Sequence, residues 1–208
     1  MKDTKSTILI FFVNGTNSLI GWSAVLASLD YFADRFKDYN IYSFLPLPLF
    51  LGYICMGLLY HTSSHHFTYI THIIAGNMTV NIALLLLLLD SIFFDQMAIG
   101  FYLMLIFSFL IGVGSNSSAL SFFAMINYLS ESVVSKFTVG TAVSGLVITI
   151  IRVVITAIFG SDNKTSTPIV IYIAIAMAIN TADIILNIYF CKSDVYEQKI
   201  HSHIIRKN

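Results

Sequence analysis

Side chains able to do chemistry are scarce in this sequence, and the most informative ones are stranded in apolar runs. Arg152 and Asp183 lie within long hydrophobic stretches, and Asp30 closes another. An ionisable group among acyl chains is costly unless it pairs or lines a watery cavity. These three residues therefore form a candidate gate or intramembrane charge network. On straight helices Arg152 and Asp183 differ in depth by roughly 10 Å, so Asp30 competes with Asp183 for the guanidinium. The first run is also polar in its middle, where Asn14, Thr16, Asn17, Ser18, Trp22, Ser23 and Ser28 interrupt it. Asn14, Asn17/Ser18 and Gly21/Trp22 recur at helical spacing and share one stripe. An indole beside amides suits stacking on, and hydrogen bonding to, a planar polar ligand. The plainer alternative is a core Trp with Asn side chains bonded between helices.

No catalytic arrangement emerges. The sequence has no nucleophile–base pair, Gly-rich phosphate loop or paired carboxylates, which argues against an enzyme. His61, His65, His66 and His72 cluster, and Glu131 is the only acidic residue in the nearest loops. A metal site would need a carboxylate or thiolate at hand. Solvated loop histidines are the expectation, and no cofactor is implied. Cys55 and Cys191 each stand alone in or at the end of an apolar run, as expected of buried free thiols.

The elements that carry these residues follow from composition. Of 208 residues, 57% are apolar and only 11% charged, against roughly 25% charged in soluble domains. Mean hydropathy is +0.81. Eleven basic and eleven acidic residues leave no positive field for nucleic acid. The chain is expected to be an all-α polytopic membrane bundle. About 20 helical residues cross a bilayer core, and six stretches qualify or nearly do: 8–32, 44–60, 69–89, 98–128, 137–159 and 169–191. The first is taken as a signal-anchor, and the second opens with Pro46 and Pro48, tolerated in a first helical turn. The Leu84–Leu89 run suits a lipid-facing surface. Residues 1–192 form one domain, and 193–208 a polar tail.

Short connections at 33–43, 61–68, 90–97, 129–136 and 160–168 make successive helices antiparallel neighbours. With the N-terminus in the cytosol, Lys2, Lys5, Lys136, Lys192, Lys199, Arg206 and Lys207 lie inside. Arg35, Lys37 and Lys164 lie outside, a bias that puts both termini in the cytosol. The sequon at Asn163 also falls outside, whereas those at Asn14, Asn77 and Asn116 fall within spans. Which membrane holds the bundle is left open.

Spans four and five carry small residues at helical spacing. Ser108, Gly112, Ser115 and Ala119 form one face, and Gly140/Ser144 with Thr141/Gly145 form another. Small residues let helix backbones approach closely in lipid, so packing is the default role. Asn116 lies beside the first face, able to lock two helices or touch a solute.

Several of these stretches together resemble the equilibrative nucleoside transporter family. Trp22 through Tyr31-Phe32 is similar to that family's Trp, spacer and Tyr-Phe, although Gly21 and Ser23 stand where Pro and Asn are usual. Gly140-Thr141-Ala142-Val143-Ser144-Gly145, running on to Arg152-Val153-Val154, resembles its Gly-rich fifth helix. Gly112 to Ser118 resembles its fourth helix with Asn116 in place of Gln, and Phe44-Leu45-Pro46-Leu47 the start of its second. The resemblance implies half of a major-facilitator-like fold and facilitated diffusion of nucleosides or nucleobases by alternating access. By the same resemblance Trp22, Leu26, Phe44, Leu47 and Asn116 would face the base, and Arg152 would serve the fifth-helix gate or packing. Family members have eleven spans and carry an acidic/basic ribose-contacting pair in their second half. The expectation is thus an N-terminal half that is either a fragment of a longer transporter, or associates with a second half-transporter chain or other membrane subunits, or no longer transports. The alternative is a non-transporting structural subunit of a larger membrane complex.

Overall fold

The computed structural model describes residues 5–63, 68–93, 98–159, 167–197 and 200. The sequon at Asn163, together with His65, His66, His201 and His203, lies outside these. Among the described residues there are helices and no strands. Six helical stretches are long and apolar enough to cross a membrane: Lys5–Arg35, Ile41–Tyr60, Tyr69–Phe93, Ala98–Ile126, Glu131–Ile155 and Thr167–Cys191. They match the six expected stretches, with ends displaced by several residues; five are extended by polar turns at one end or both, and the fourth stops two residues early, at Ile126.

The first span is built from α1 (Lys5–Asn17), α2 (Ile20–Ala27) and α3 (Leu29–Arg35). Each of its two breaks carries a serine bonded back to the preceding turn. The Ser18 hydroxyl donates to the Gly15 carbonyl at 2.7 Å, and the Ser28 hydroxyl to the Ala24 carbonyl at 2.8 Å. A hydroxyl bonded back to the preceding turn competes with the helical ladder and bends it. Leu19, between α1 and α2, sits at φ −113° and ψ 5°. The second span joins α4 (Ile41–Phe44) to α5 (Pro46–Ser63), and Pro46 opens α5 where no N–H is needed. Spans three to six are the unbroken helices α6 (Tyr69–Phe93), α7 (Ala98–Ile126), α8 (Glu131–Phe159) and α9 (Thr167–Cys191).

Three glycine pairs set how these helices cross. A Cβ on Gly15 would collide with the Phe137 carbonyl, and one on Gly140 with the Phe12 carbonyl, so α1 and α8 touch backbone to backbone. Gly52 and Gly112 bring α5 and α7 together in the same reciprocal way, as do Gly76 and Gly114 for α6 and α7. The first two crossings are counterparts: span one meets span five as span four meets span two. Gly112 and Gly140 lie at these crossings, and Ser115 and Ser144 are buried on the same helices. Gly145 departs from expectation, being exposed with no atom within 4 Å of its Cβ position.

The interior divides into two apolar zones. One, near the chain termini, gathers Phe11, Ile73, Phe122, Phe137 and Phe190. The other gathers Ile20, Val25, Phe32, Leu84, Leu87 and Ile173 at the far side. Leu84 and Leu87 are fully buried while Leu85 and Leu89 are exposed, so the leucine run is half core rather than wholly lipid-facing. The 193–208 stretch is not uniformly a free polar tail. It begins with a helical turn, α10 (Asp194–Tyr196), and buries Val195, Tyr196 and Ile200 against the terminal zone. Burial pushes the Tyr196 hydroxyl above the usual tyrosine range. Cys55 and Cys191 are free but exposed. In a bundle whose outer surface meets acyl chains, an apolar thiol is removed from water without entering the core.

Candidate functional site

Between the two apolar zones lies a polar layer contributed by spans one, three and six. Asp183 is at its centre with 0% exposure, and Asn14, Asn17, Asn77, Asn180 and Asn187 are buried with it. Helical spacing explains the convergence: Asn180, Asp183 and Asn187 sit on one face of α9, and Asn14 and Asn17 on one face of α1. Asp183 Oδ2 accepts from Asn77 Nδ2 at 2.8 Å, Asn17 Nδ2 at 3.0 Å and Asn187 Nδ2 at 3.2 Å. Asn17 Nδ2 also donates to Asn180 Oδ1 at 2.8 Å. Asn14 and Asn187 exchange two amide bonds at 3.2 and 3.1 Å. Asn180 Nδ2 donates to the Asn77 carbonyl at 2.7 Å and to Asn81 Oδ1 at 3.1 Å. The break after α1 falls directly behind Asn17, so the helix loosens where its side chain enters the layer.

Arg152 takes no part in this layer. Its guanidinium pairs with Asp30 Oδ2, and Tyr42 donates to Asp30 Oδ1 at 3.0 Å. The expected three-residue charge network therefore splits: Arg152 and Asp30 form a pair at the far side, and Asp183 is enclosed by amides. The depth difference between Arg152 and Asp183 is the reason, since Asp30 on the first span is level with the guanidinium. The pair is open, with side-chain exposures of 47% for Arg152 and 43% for Asp30. Nearby, Arg35 donates to the Ser91 carbonyl and closes the last turn of α6, as cations do at helix C-termini.

Residues expected to face a base form a separate group along span two. Trp22 is half-buried and its ring lies 4.8 Å from that of Phe50, itself 54% exposed. Leu26 is half-buried, while Phe44 and Leu47 are exposed on the same helical stretch as Phe50. Asn116 donates to the Tyr53 carbonyl at 2.6 Å, so its amide nitrogen is engaged and its oxygen remains for other contacts. Trp22 and Asn116 thus both border span two, whereas Trp22 and the Asn residues of its supposed stripe separate: the amides go to the layer and the indole to the open face. The amides are bonded between helices, and the half-buried indole packs against the core on one side and Phe50 on the other.

His72 is buried rather than solvated, close to Ser117 and 5.2 Å from the Tyr60 ring. Helix α6 begins at Tyr69, the expected start of the 69–89 stretch, so His72 lies within the helix and not in the loop before it. No group of three or more His, Cys, Asp or Glu is placed to hold a metal among the described residues. The sequence reading missed Asn180 and Asn187 as site residues and took Asn77 only as an inaccessible sequon. Their signal was available as amides three and four residues either side of Asp183 in an otherwise apolar run.

Fold and composition together define a polytopic, all-helical membrane protein with six helices able to span the bilayer. No protein-family model matches the chain, and no curated protein matches it in sequence.

Proposed function

We propose that this chain is a nucleoside or nucleobase transporter-like membrane protein, with both termini cytosolic, that lines one side of a facilitated-diffusion path. The observation that carries this reading is the half-open Trp22–Phe50 pair on the face that also exposes Phe44 and Leu47. A planar base would stack on the two rings, Leu26, Phe44 and Leu47 would exclude water, and the Asn116 oxygen would accept from an exocyclic amine. The Arg152–Asp30 pair would form the mouth of the path. A charge pair so open cannot face acyl chains without penalty, which supports a watery or protein-covered setting for this surface. Alternating access would then rock this bundle against a second half supplied by another chain or segment.

Uptake of radiolabelled adenosine and uridine into proteoliposomes tests the reading, with the chain alone and co-expressed with a second half. Saturable, temperature-dependent uptake, with a weaker apparent affinity in Trp22→Ala, is expected. Absence of saturable uptake in both settings sinks the proposal.

One observation favours a second reading, a non-transporting structural subunit. Ser135, Thr138, Ala142, Gly145 and Thr149 are all exposed along α8. Small residues at such spacing receive another helix. That reading is favoured if Trp22→Ala impairs co-purification with membrane partners while no solute flux exists to be lost.

A further inference from the structure

Every amide nitrogen in the polar layer has an acceptor, yet two buried oxygens are left over. Asn14, Asn17, Asn77, Asn180 and Asn187 all direct their Nδ2 atoms at oxygens. Asp183 Oδ1 and Asn17 Oδ1 have no partner. Buried polar atoms are almost always satisfied, so the layer is short of one donor between two side chains that are already joined. No Lys, Arg or His forms an ion pair with Asp183 among the described residues; Arg152 is engaged by Asp30. A metal ion would need a shell of several oxygens, and only two are unoccupied. One hydrogen needs two.

We infer that Asp183 is a proton-binding site. A hydrogen on Oδ1 is donated to Asn17 Oδ1, while Asn17 Nδ2 already donates to Asp183 Oδ2 at 3.0 Å. The two side chains then form a closed amide–carboxylic acid pair. Binding converts one carboxylate and one proton into a neutral carboxyl, and release restores the charge to the centre of the layer. Groups facing Asp183 from the packed helices are amides: Asn14 and Asn17 from α1, Asn77 from α6, and Asn180 and Asn187 on α9 itself. Helix α2 carries no titratable residue. On α6 the other titratable groups are Tyr69, His72 and Asp90, each more than a turn from Asn77. On α8, Glu131 and Lys136 lie near one end and Arg152 is paired with Asp30. A cavity of about 10 Å³ adjoins the layer, lined by Asn17, Asn77 and Asn180 on the layer side and by Ile20, Gly21 and Val80 on the other. Its size suits one water, a stepping point for the proton at the break between α1 and α2. Because spans one, three and six meet at this carboxyl, proton release places an uncompensated charge where three helices pack. The inference is independent of solute transport, so failed uptake leaves it intact.

Infrared spectroscopy of the full chain in lipid nanodiscs, titrated with alkali in sodium-free buffer, provides the test. The wild type should show a protonated-carboxyl carbonyl band that shifts on carbon-13 labelling of aspartate and disappears as pH rises. Asp183→Asn, whose amide supplies the missing donor, should fold and lack that band at every pH. If Asp183→Asn does not fold, Asn17→Ala should shift the band by removing its acceptor. No such band in the wild type, its persistence in Asp183→Asn, an unmoved band in Asn17→Ala, or displacement of the band by sodium at fixed pH would each overturn the inference.

Discussion

Asn17 divides its amide nitrogen between Asp183 Oδ2 at 3.0 Å and Asn180 Oδ1 at 2.8 Å, tying the first span to the sixth. Helix association in lipid lacks a hydrophobic drive and depends on packing and interhelical bonds. The bond pair at Asn17 is the link whose loss should be felt most.

Asn17→Leu removes both bonds and leaves Asp183 and Asn180 short of a donor. Destabilisation of about 1–3 kcal/mol follows from an unsatisfied buried polar group, measured by reversible unfolding in mixed micelles. Asn17→Gln, which keeps the amide, should recover part of the loss.

Gly140→Leu should cost about 1–3 kcal/mol or more, because its side chain would enter the Phe12 backbone on α1. Gly112→Leu should behave alike against Leu49. Gly145→Leu is the contrast, with a change within about 0.5 kcal/mol in the isolated chain, since nothing lies within 4 Å. Equal losses at all three sites would contradict the crossing geometry.

Asp30→Asn should separate the far ends of spans one and five by stranding Arg152. The swapped variant, Asp30→Arg with Arg152→Asp, should restore what either single change loses. With both groups about half exposed, the coupling from a double-mutant cycle should be no more than about 1 kcal/mol in detergent.

Trp22→Ala should weaken apparent nucleoside affinity roughly threefold to tenfold, the equivalent of losing one aromatic stacking contact. Trp22→Phe should retain most of it. Stability should change little in Trp22→Phe, whereas Trp22→Ala gives up packing on the core and on Phe50. Competition of unlabelled adenosine with labelled uridine gives the affinities.

Membrane class, six spans and their approximate limits were legible in the sequence because lipid imposes a simple length-and-composition rule. The small-residue faces were legible for a similar reason. Gly112 and Gly140 lie at the crossings, though their partners Gly52 and Gly15 belong to runs where nothing local marks them. Arg152 announced a need for a partner without naming it; choosing Asp30 over Asp183 depends on helix tilt and depth, which only packing sets.

Asn14, Asn17, Asn77, Asn180, Asp183 and Asn187 show the division most clearly. Their polarity inside apolar runs was enough to say that they could not face acyl chains, since desolvation is a property of each residue alone. That they form one layer, with Trp22 and Arg152 outside it, required three helices to meet at a common height. Convergence of residues more than a hundred positions apart is decided by which helices touch and at what register, and no local spacing encodes that.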